Sequence, residues 1–347
     1  MSKKLFDYVI GNPPYQEEFS ADGNKTYAAP VYNDFMDAVN DVGEHVELIH
    51  PARFLFNAGS TPKAWNKKML EDPHFKVLKY EEDASKVFPN TDIKGGVAVT
   101  YRNAMQNYGP IGTFTPYEEM NSVLHKVQKC GFVPMSSICV SSYAYHFTDE
   151  LHTENPKAID MMSNGHAYDL KSNVPDKLPK IFLSAKPTDS KGYLRVLGRS
   201  GNQRVIWFIK RKYIATISNT DTYKVIISAA TGTGQFGETL AEPVIGTPGM
   251  ITTETFSSMG SFSTEQEAQN CIIFIKSKFV RALLGILKKT QHLTPDNWKY
   301  VPLQDFTPFS DIDWSKSVHE IDLQLYRKYG LDENEIDFIE THVKEMA

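Results

Sequence analysis

The sequence predicts an α/β chain in which part of a doubly wound sheet is followed by an α+β region and C-terminal helices. Three features predict it: apolar runs alternating with helical stripes up to residue 110 or so, a basic aromatic stretch, and an acidic helix-patterned tail. Strands alternating with helices imply a parallel sheet wound on both faces. The expected strands are 6–10, 46–50, 76–81 and 96–102, and the expected helices 31–41 and 60–71. In the first helix Val31, Phe35, Ala38, Val39 and Val42 are spaced as one apolar stripe. Pro110 to Pro116 reads as a linker, and 117–130 as a helix carrying Met120, Val123, Leu124 and Val127. Residues 265–289 read as one long mixed helix. The tail, 314–347, reads as two helices, with Ser315 and Ser317 as caps and Gly330 as the stop between them. This gives a division into 1–110, 111–130, 131–303 and 304–347.

Composition narrows the class. A chain of 347 residues makes two domains the natural expectation. Its 41% hydrophobic and 23% charged content is that of a globular protein. Cys130, Cys139 and Cys271 are odd in number and widely spaced, which argues against a disulfide framework and for a reducing, cytoplasmic setting. Cys130 and Cys139, flanked by His125 and His146, match no zinc-ligand spacing, so no metal is expected. No apolar stretch approaches membrane-spanning length.

The run Phe6-Asp7-Tyr8-Val9-Ile10-Gly11 leads into Asn12-Pro13-Pro14-Tyr15. In an open α/β sheet, ligands gather at the C-terminal ends of strands. An aromatic amine such as adenine N6 is a poor nucleophile because its lone pair is delocalised into the ring. Two acceptors fixed against its hydrogens pull the nitrogen towards a tetrahedral shape. Asn12 can supply its side-chain oxygen and Pro13 a backbone carbonyl, while Pro14 stiffens the turn. Tyr15 offers a flat face for a base taken out of the duplex. The plainer alternative is a strand-ending turn, since Asn-Pro and Pro-Pro are common loop punctuation.

With these residues the sequence resembles the N6-adenine DNA methyltransferases of restriction–modification systems. Two further segments carry the likeness. Ile49-His50-Pro51-Ala52-Arg53-Phe54-Leu55 resembles the next family strand and its proline turn. Val87-Phe88-Pro89, followed by Ile93-Lys94-Gly95-Gly96-Val97-Ala98-Val99, is similar to the segment whose phenylalanine packs on the extruded base. By that match Phe88 is the second stacking partner, opposite or beside Tyr15; an ordinary core aromatic is the alternative. The family's methyl donor, S-adenosylmethionine, is implied as cofactor.

In the family the cofactor half lies upstream of this motif, and nothing upstream of residue 12 supplies a glycine-rich turn or an acidic ribose partner. The chain therefore reads as the C-terminal portion of such an enzyme, with strand 6–10 an apolar edge that needs covering by an N-terminal methyltransferase half, a second copy or a rearranged segment. The cofactor-binding residues are left unknown. Gly232-Thr233-Gly234-Gln235-Phe236-Gly237 follows strand-like residues and suggests a permuted but complete enzyme. Against that, no clear helix follows it.

From 171 to 230 there are 12 Lys or Arg against 3 Asp or Glu, inside a chain of net charge −5. Lys191, Arg195, Arg199, Gln203, Arg204, Lys210, Arg211 and Lys212 are interleaved with Tyr193, Trp207, Phe208 and Tyr213. A basic stretch carrying aromatics is the footprint of nucleic-acid binding, so double-stranded DNA is the expected partner. A solvated surface is the ordinary alternative. Residues 305–347 hold 11 Asp or Glu against 4 Lys or Arg, so the charge is segregated. Thr252-Thr253-Glu254-Thr255-Phe256, Phe279-Val280-Arg281-Ala282-Leu283-Leu284 and Trp298-Lys299-Tyr300-Val301-Pro302 resemble the TaqI-like specificity domain that follows the catalytic domain in these enzymes. A non-catalytic recognition subunit or truncated remnant is the other class left open.

Overall fold

The computed structural model describes residues 4–16, 29–89, 91, 93–201 and 203–346, and the chain separates into two compact units, 1–121 and 122–347. The first unit is built from β1 (Phe6–Gly11), α1 (Tyr32–Val42), β2 (Gly43–Pro51), α2 (Lys63–Glu71), β3 (Phe75–Glu81) and β4 (Val97–Asn103). Each of the four strands and two helices falls where the sequence patterns place one. The strand order is β1-β2-β4-β3, with β1 parallel to β2 and β4 antiparallel to both of its neighbours.

The sheet is thus mixed rather than parallel. A helical crossover joins β2 to β3, and these two strands do run the same way. Among the described residues between β3 and β4 no α-helix intervenes, and the chain turns back so that β4 enters reversed between them. Nor is the sheet covered on both faces. Val46, Leu48 and Ala98 pack with Tyr32 and Met36 of α1 and Trp65, Met69 and Leu70 of α2 in one core. On β1, Phe6, Tyr8 and Ile10 alternate away from the inward Val9 and stay 57%, 68% and 78% exposed. Among the described residues, β1 pairs only with β2 and no helix covers the face that carries Tyr8.

The apolar stripe of α1 is also rotated from expectation. Tyr32, Asn33 and Met36 are buried and Val39 packs against the core, while Phe35 is 45% exposed and Ala38 is exposed. Residues 32, 36 and 39 follow helical spacing as well as the expected set. Tyr32 decides the phase, because it stacks on His50 and meets Phe54 and Trp65.

Helix α3 (Glu118–Lys129) leads into the second unit, whose remaining elements are β5 (Cys139–Val140), α4 (Asp149–Glu154), α5 (Val174–Lys177), β6 (Tyr193–Ser200), β7 (Gln203–Lys210), β8 (Tyr223–Ser228), β9 (Val244–Gly246), β10 (Met250–Thr252), β11 (Phe256–Phe262), α6 (Glu265–Lys276), α7 (Lys278–Leu287), α8 (Val318–Tyr329) and α9 (Glu333–His342). The strands form two sheets, β10-β6-β7 and β5-β11-β8-β9. The single helix expected over 265–289 is two helices. Ser277 is extended (ψ 149°) and caps α7, and the buried Asp322 accepts hydrogen bonds from the Lys278 and Phe279 amides at 3.0 and 2.8 Å. Ser317 caps α8 through a reciprocal bond with Glu320, and Gly330 ends it with a left-handed φ of 64°. Helices α8 and α9 pack on α6 and α7 within this unit. None of the described helices is long and apolar enough to cross a membrane.

Candidate functional site

Asn12 leaves the C-terminal end of β1, exposed to solvent, and the next residues fold back onto the start of α1. The Val31 amide donates to the Tyr15 carbonyl at 3.2 Å, and Gln16 bridges Pro30. This return brings Tyr15 into a cleft of about 350 Å³ bounded also by Tyr32, Pro51, Arg53, Ser60 and Lys94. The volume lies within the range of small-ligand sites, roughly 300–1,000 Å³. The Tyr15 hydroxyl is buried and has no hydrogen-bond partner among the described residues. Burial pushes its pKa up to about 12, so it stays protonated and keeps both a donor and acceptor capacity.

Phe88 meets Tyr15 edge-on, with ring centroids 6.3 Å apart and planes at 71°. Of the two arrangements expected, opposite or beside, the rings take the second: Phe88 stands beside Tyr15. Asn12, Pro13, Pro14 and Phe88 do not line the cleft; Phe88 adjoins it through its contact with Tyr15, and Asn12 to Pro14 precede Tyr15 in the chain. Asn12 makes no side-chain hydrogen bond among the described residues, so its amide remains available.

The floor of the cleft is aromatic. Tyr32 lies parallel to His50 at 5.9 Å. His50 is fully buried, its Nε2 is 2.7 Å from Thr100 Oγ1, and burial lowers its pKa to about 4. It is a neutral core imidazole that positions Tyr32. Sequence reasoning missed Tyr32 and Arg53 as cleft residues. The available signal was positional: Arg53 follows the turn at the C-terminal end of β2, the neighbour of β1, on the sheet edge where ligands collect.

In the second unit, β6 and β7 form a hairpin whose inward residues Leu194, Val196, Trp207 and Ile209 sit in the core. Arg195, Arg199, Arg204 and Lys210 alternate onto the opposite face with Tyr193 and Phe208. Arg199 and Arg204 are register partners, and their guanidiniums lie 6.0 and 5.7 Å from the Phe256 ring. Gln203 is exposed at the turn and Lys191 beyond the other end of the hairpin. Arg204 also donates to the Glu242 carbonyl, and other basic groups are internally engaged. Arg211 pairs with Asp221, Lys212 with Glu154, and Arg195 bonds to Thr247 and the Pro248 carbonyl. Trp207 and Tyr213, counted with the basic stretch in the sequence, are buried core residues.

The glycine loop at 232–237 is occupied by the chain itself. The Glu238 carboxylate accepts from the Thr233 and Gly234 amides at 2.6 and 2.9 Å and pairs with Lys288. A Cβ on Gly232 would lie 2.2 Å from that carboxylate, and one on Gly234 2.4 Å from the Lys289 and Thr290 backbone. The loop closes on its own anion, and irregular chain leads from it to β9.

Comparison with known proteins agrees with the chemistry at the N-terminal end. Residues 1–88 match the family model described as Eco57I restriction-modification methylase. An "uncharacterized adenine-specific methylase" of Mycoplasma pneumoniae (strain ATCC 29342 / M129 / Subtype 1) is 28% identical over 93 residues, which is 26% of this chain and 22% of the relative. Among solved structures, the type IIG restriction endonuclease BpuSI aligns with 97% of this chain and 53% of its own, at 11% identity and a TM-score of 0.35. The type IIL restriction-modification enzyme MmeI in complex with DNA aligns with 97% and 56%, at 9% identity and a TM-score of 0.34. Scores this low define no shared fold. The chain spans about a fifth of the curated relative and about half of each solved structure. Over its first quarter, then, the chain is similar in sequence to restriction–modification methylases and to an adenine-specific methylase, the same resemblance that the Asn12–Tyr15 motif carries.

Proposed function

We propose that the chain is the base-holding and DNA-reading portion of a site-specific adenine-N6 DNA methyltransferase. The observation that carries this reading is Asn12-Pro13-Pro14-Tyr15 at the C-terminal lip of β1, beside a base-sized cleft lined by a buried, unpartnered Tyr15 hydroxyl. The Asn12 side-chain oxygen and the Pro13 carbonyl accept the two amine hydrogens, Pro14 holds the turn, and Tyr15 and Phe88 contact the extruded ring. Fixed acceptors of this kind help because they fit the pyramidal nitrogen better than the planar one. Residues 1–110 serve the base and 131–303 the duplex, with 304–347 as supporting helices. Arg195, Arg199, Arg204 and Lys210 on one hairpin face meet the DNA, with Lys191 and Gln203 at its ends and Arg211 and Lys212 secondary because carboxylates already hold them.

The 232–237 loop does not fit S-adenosylmethionine, the family's donor. The glycine loop that most resembles a cofactor turn is filled by Glu238. The free edge of β1 and the exposed Phe6, Tyr8 and Ile10 support a sheet completed by further polypeptide, which would bring the cofactor half.

The test begins by selecting bound duplexes from a random-sequence pool. Each adenine of the selected site is then replaced in turn by 2-aminopurine. A fluorescence rise at one position, lost in Tyr15→Ala, is expected. Tight DNA binding with no rise at any adenine would instead make the chain a recognition subunit.

A further inference from the structure

The cleft beside Tyr15 carries two cations that the adenine chemistry does not use. Arg53 and Lys94 both line it, and among the described residues neither has a carboxylate within ion-pair distance. The setting of Arg53 is specific. Its side chain passes between two glycines that adopt left-handed backbone angles, Gly59 (φ 84°) and Gly95 (φ 87°). A Cβ on Gly95 would sit 2.6 Å from Arg53 Cγ, and one on Gly59 3.2 Å from Arg53 Cβ and 3.5 Å from Nε. Only glycine permits that approach and those angles together. The slot is tied at both ends. The Ala52 amide donates to the Gly96 carbonyl at 3.0 Å, and the Ala58 amide to the Arg53 carbonyl at 3.0 Å. An exposed arginine normally samples many rotamers, whereas this stem is confined while its head stays in solvent. Confinement before binding lowers the entropy lost on binding.

A confined guanidinium and an ammonium at the mouth of an aromatic cleft match an anion attached to a flat ring. The guanidinium fork fits two phosphate oxygens, and the ammonium adds a point charge. We propose that Arg53, assisted by Lys94, is a phosphate clamp that takes the phosphodiester next to the base held in the cleft. This rests on the reading of the cleft as a base site. A base extruded from a strand keeps its flanking phosphates, so fixing one of them sets how deeply the ring enters. Arg53 and Lys94 are on this account positioning residues, outside the amine chemistry of Asn12 and Pro13.

The test uses the full chain and four probes titrated by ligand-observed NMR to about 10 mM: deoxyadenosine, its 5′-monophosphate, its 3′,5′-bisphosphate and inorganic phosphate. The bisphosphate is expected to bind about tenfold or more tighter than the nucleoside. Arg53→Gln should erase that gain, so that in the variant the bisphosphate binds no tighter than deoxyadenosine. Lys94→Gln should reduce the gain in part, and Gly95→Ala should reduce it by displacing the Arg53 stem. Tyr15→Ala should weaken all the adenine-bearing probes alike. Equal affinity for nucleoside and nucleotides, or a gain that survives Arg53→Gln, overturns the clamp and leaves the base cleft standing. Phosphates bound through Arg53 while deoxyadenosine is ignored would refute the base cleft and leave a bare anion site, overturning the clamp as proposed. Absence of all binding rejects both.

Discussion

Removing one oxygen atom from Tyr15 should make the free protein more stable and its base site weaker. Among the described residues the Tyr15 hydroxyl is buried without a partner, although the ring keeps its edge contact with Phe88. A hydroxyl withdrawn from water and left unpaired costs about 1–3 kcal/mol. Tyr15→Phe preserves the ring and deletes that cost, so the first unit should gain about 1 kcal/mol. For a unit of this size that corresponds to a rise of a few degrees in melting temperature. In the bound state the balance reverses. A base in the cleft gives the hydroxyl a partner, and its deletion should weaken binding about five- to tenfold. The assay is urea unfolding followed by hydrogen exchange in peptides spanning 29–71, paired with titration of deoxyadenosine 5′-monophosphate. Destabilisation of the free protein by ~1 kcal/mol or more would mean that the hydroxyl is satisfied without ligand, and the reasoning would fail.

Further expectations concern residues away from the base. His50 has a folded-state pKa depressed to about 4 by burial, below its ordinary 6.5. Its contribution is therefore fully present above pH 6.5 and is lost as pH falls towards 4, by up to ~3 kcal/mol. The stability difference between wild type and His50→Asn should shrink correspondingly between pH 7.5 and 4.5, and a difference independent of pH would contradict the assignment. Burial alone would push the Glu238 carboxyl up, but Lys288 and the Thr233 and Gly234 amides outweigh it and hold the pKa near 2. Glu238→Ala leaves Lys288, 3% exposed, without its partner, so ~3–5 kcal/mol of stability should be lost from the second unit in calorimetric unfolding; a loss under 1 kcal/mol would show that the loop does not depend on this anion. Arg199 and Arg204 face each other across the hairpin as like charges. Arg199→Ala should therefore change stability by less than ~0.5 kcal/mol while reducing the salt dependence of DNA binding by about one ion. An unchanged salt slope would remove this pair from the interface.

What could be read from the sequence followed from local chemistry. The strand before Asn12, the proline turn, the caps at Ser317 and Gly330 and the strand positions of the first unit depend on neighbours in the chain, and they appear close to where the patterns place them. What was missed depends on contacts between distant residues. Two stripes fit α1 about equally, and His50, Phe54 and Trp65 select the one led by Tyr32. The reversal of β4 depends on what the chain between β3 and β4 omits, a helix, which strand periodicity does not report. The break at Ser277 is fixed by Asp322, 45 residues later in the sequence. Basic residues are visible as a stretch, but whether each is paired is visible only when Asp221 and Glu154 arrive beside Arg211 and Lys212. The Arg53 slot joins residues 53, 59 and 95, and each glycine alone looks like an ordinary loop residue.

On the proposed reading, this chain presents the base and the duplex while the methyl donor's site comes from further polypeptide along β1. Calorimetric titration of the purified chain with S-adenosylmethionine tests it most directly. The account predicts no binding by the chain alone. Saturable one-to-one binding would contradict it and place a cofactor site within these residues.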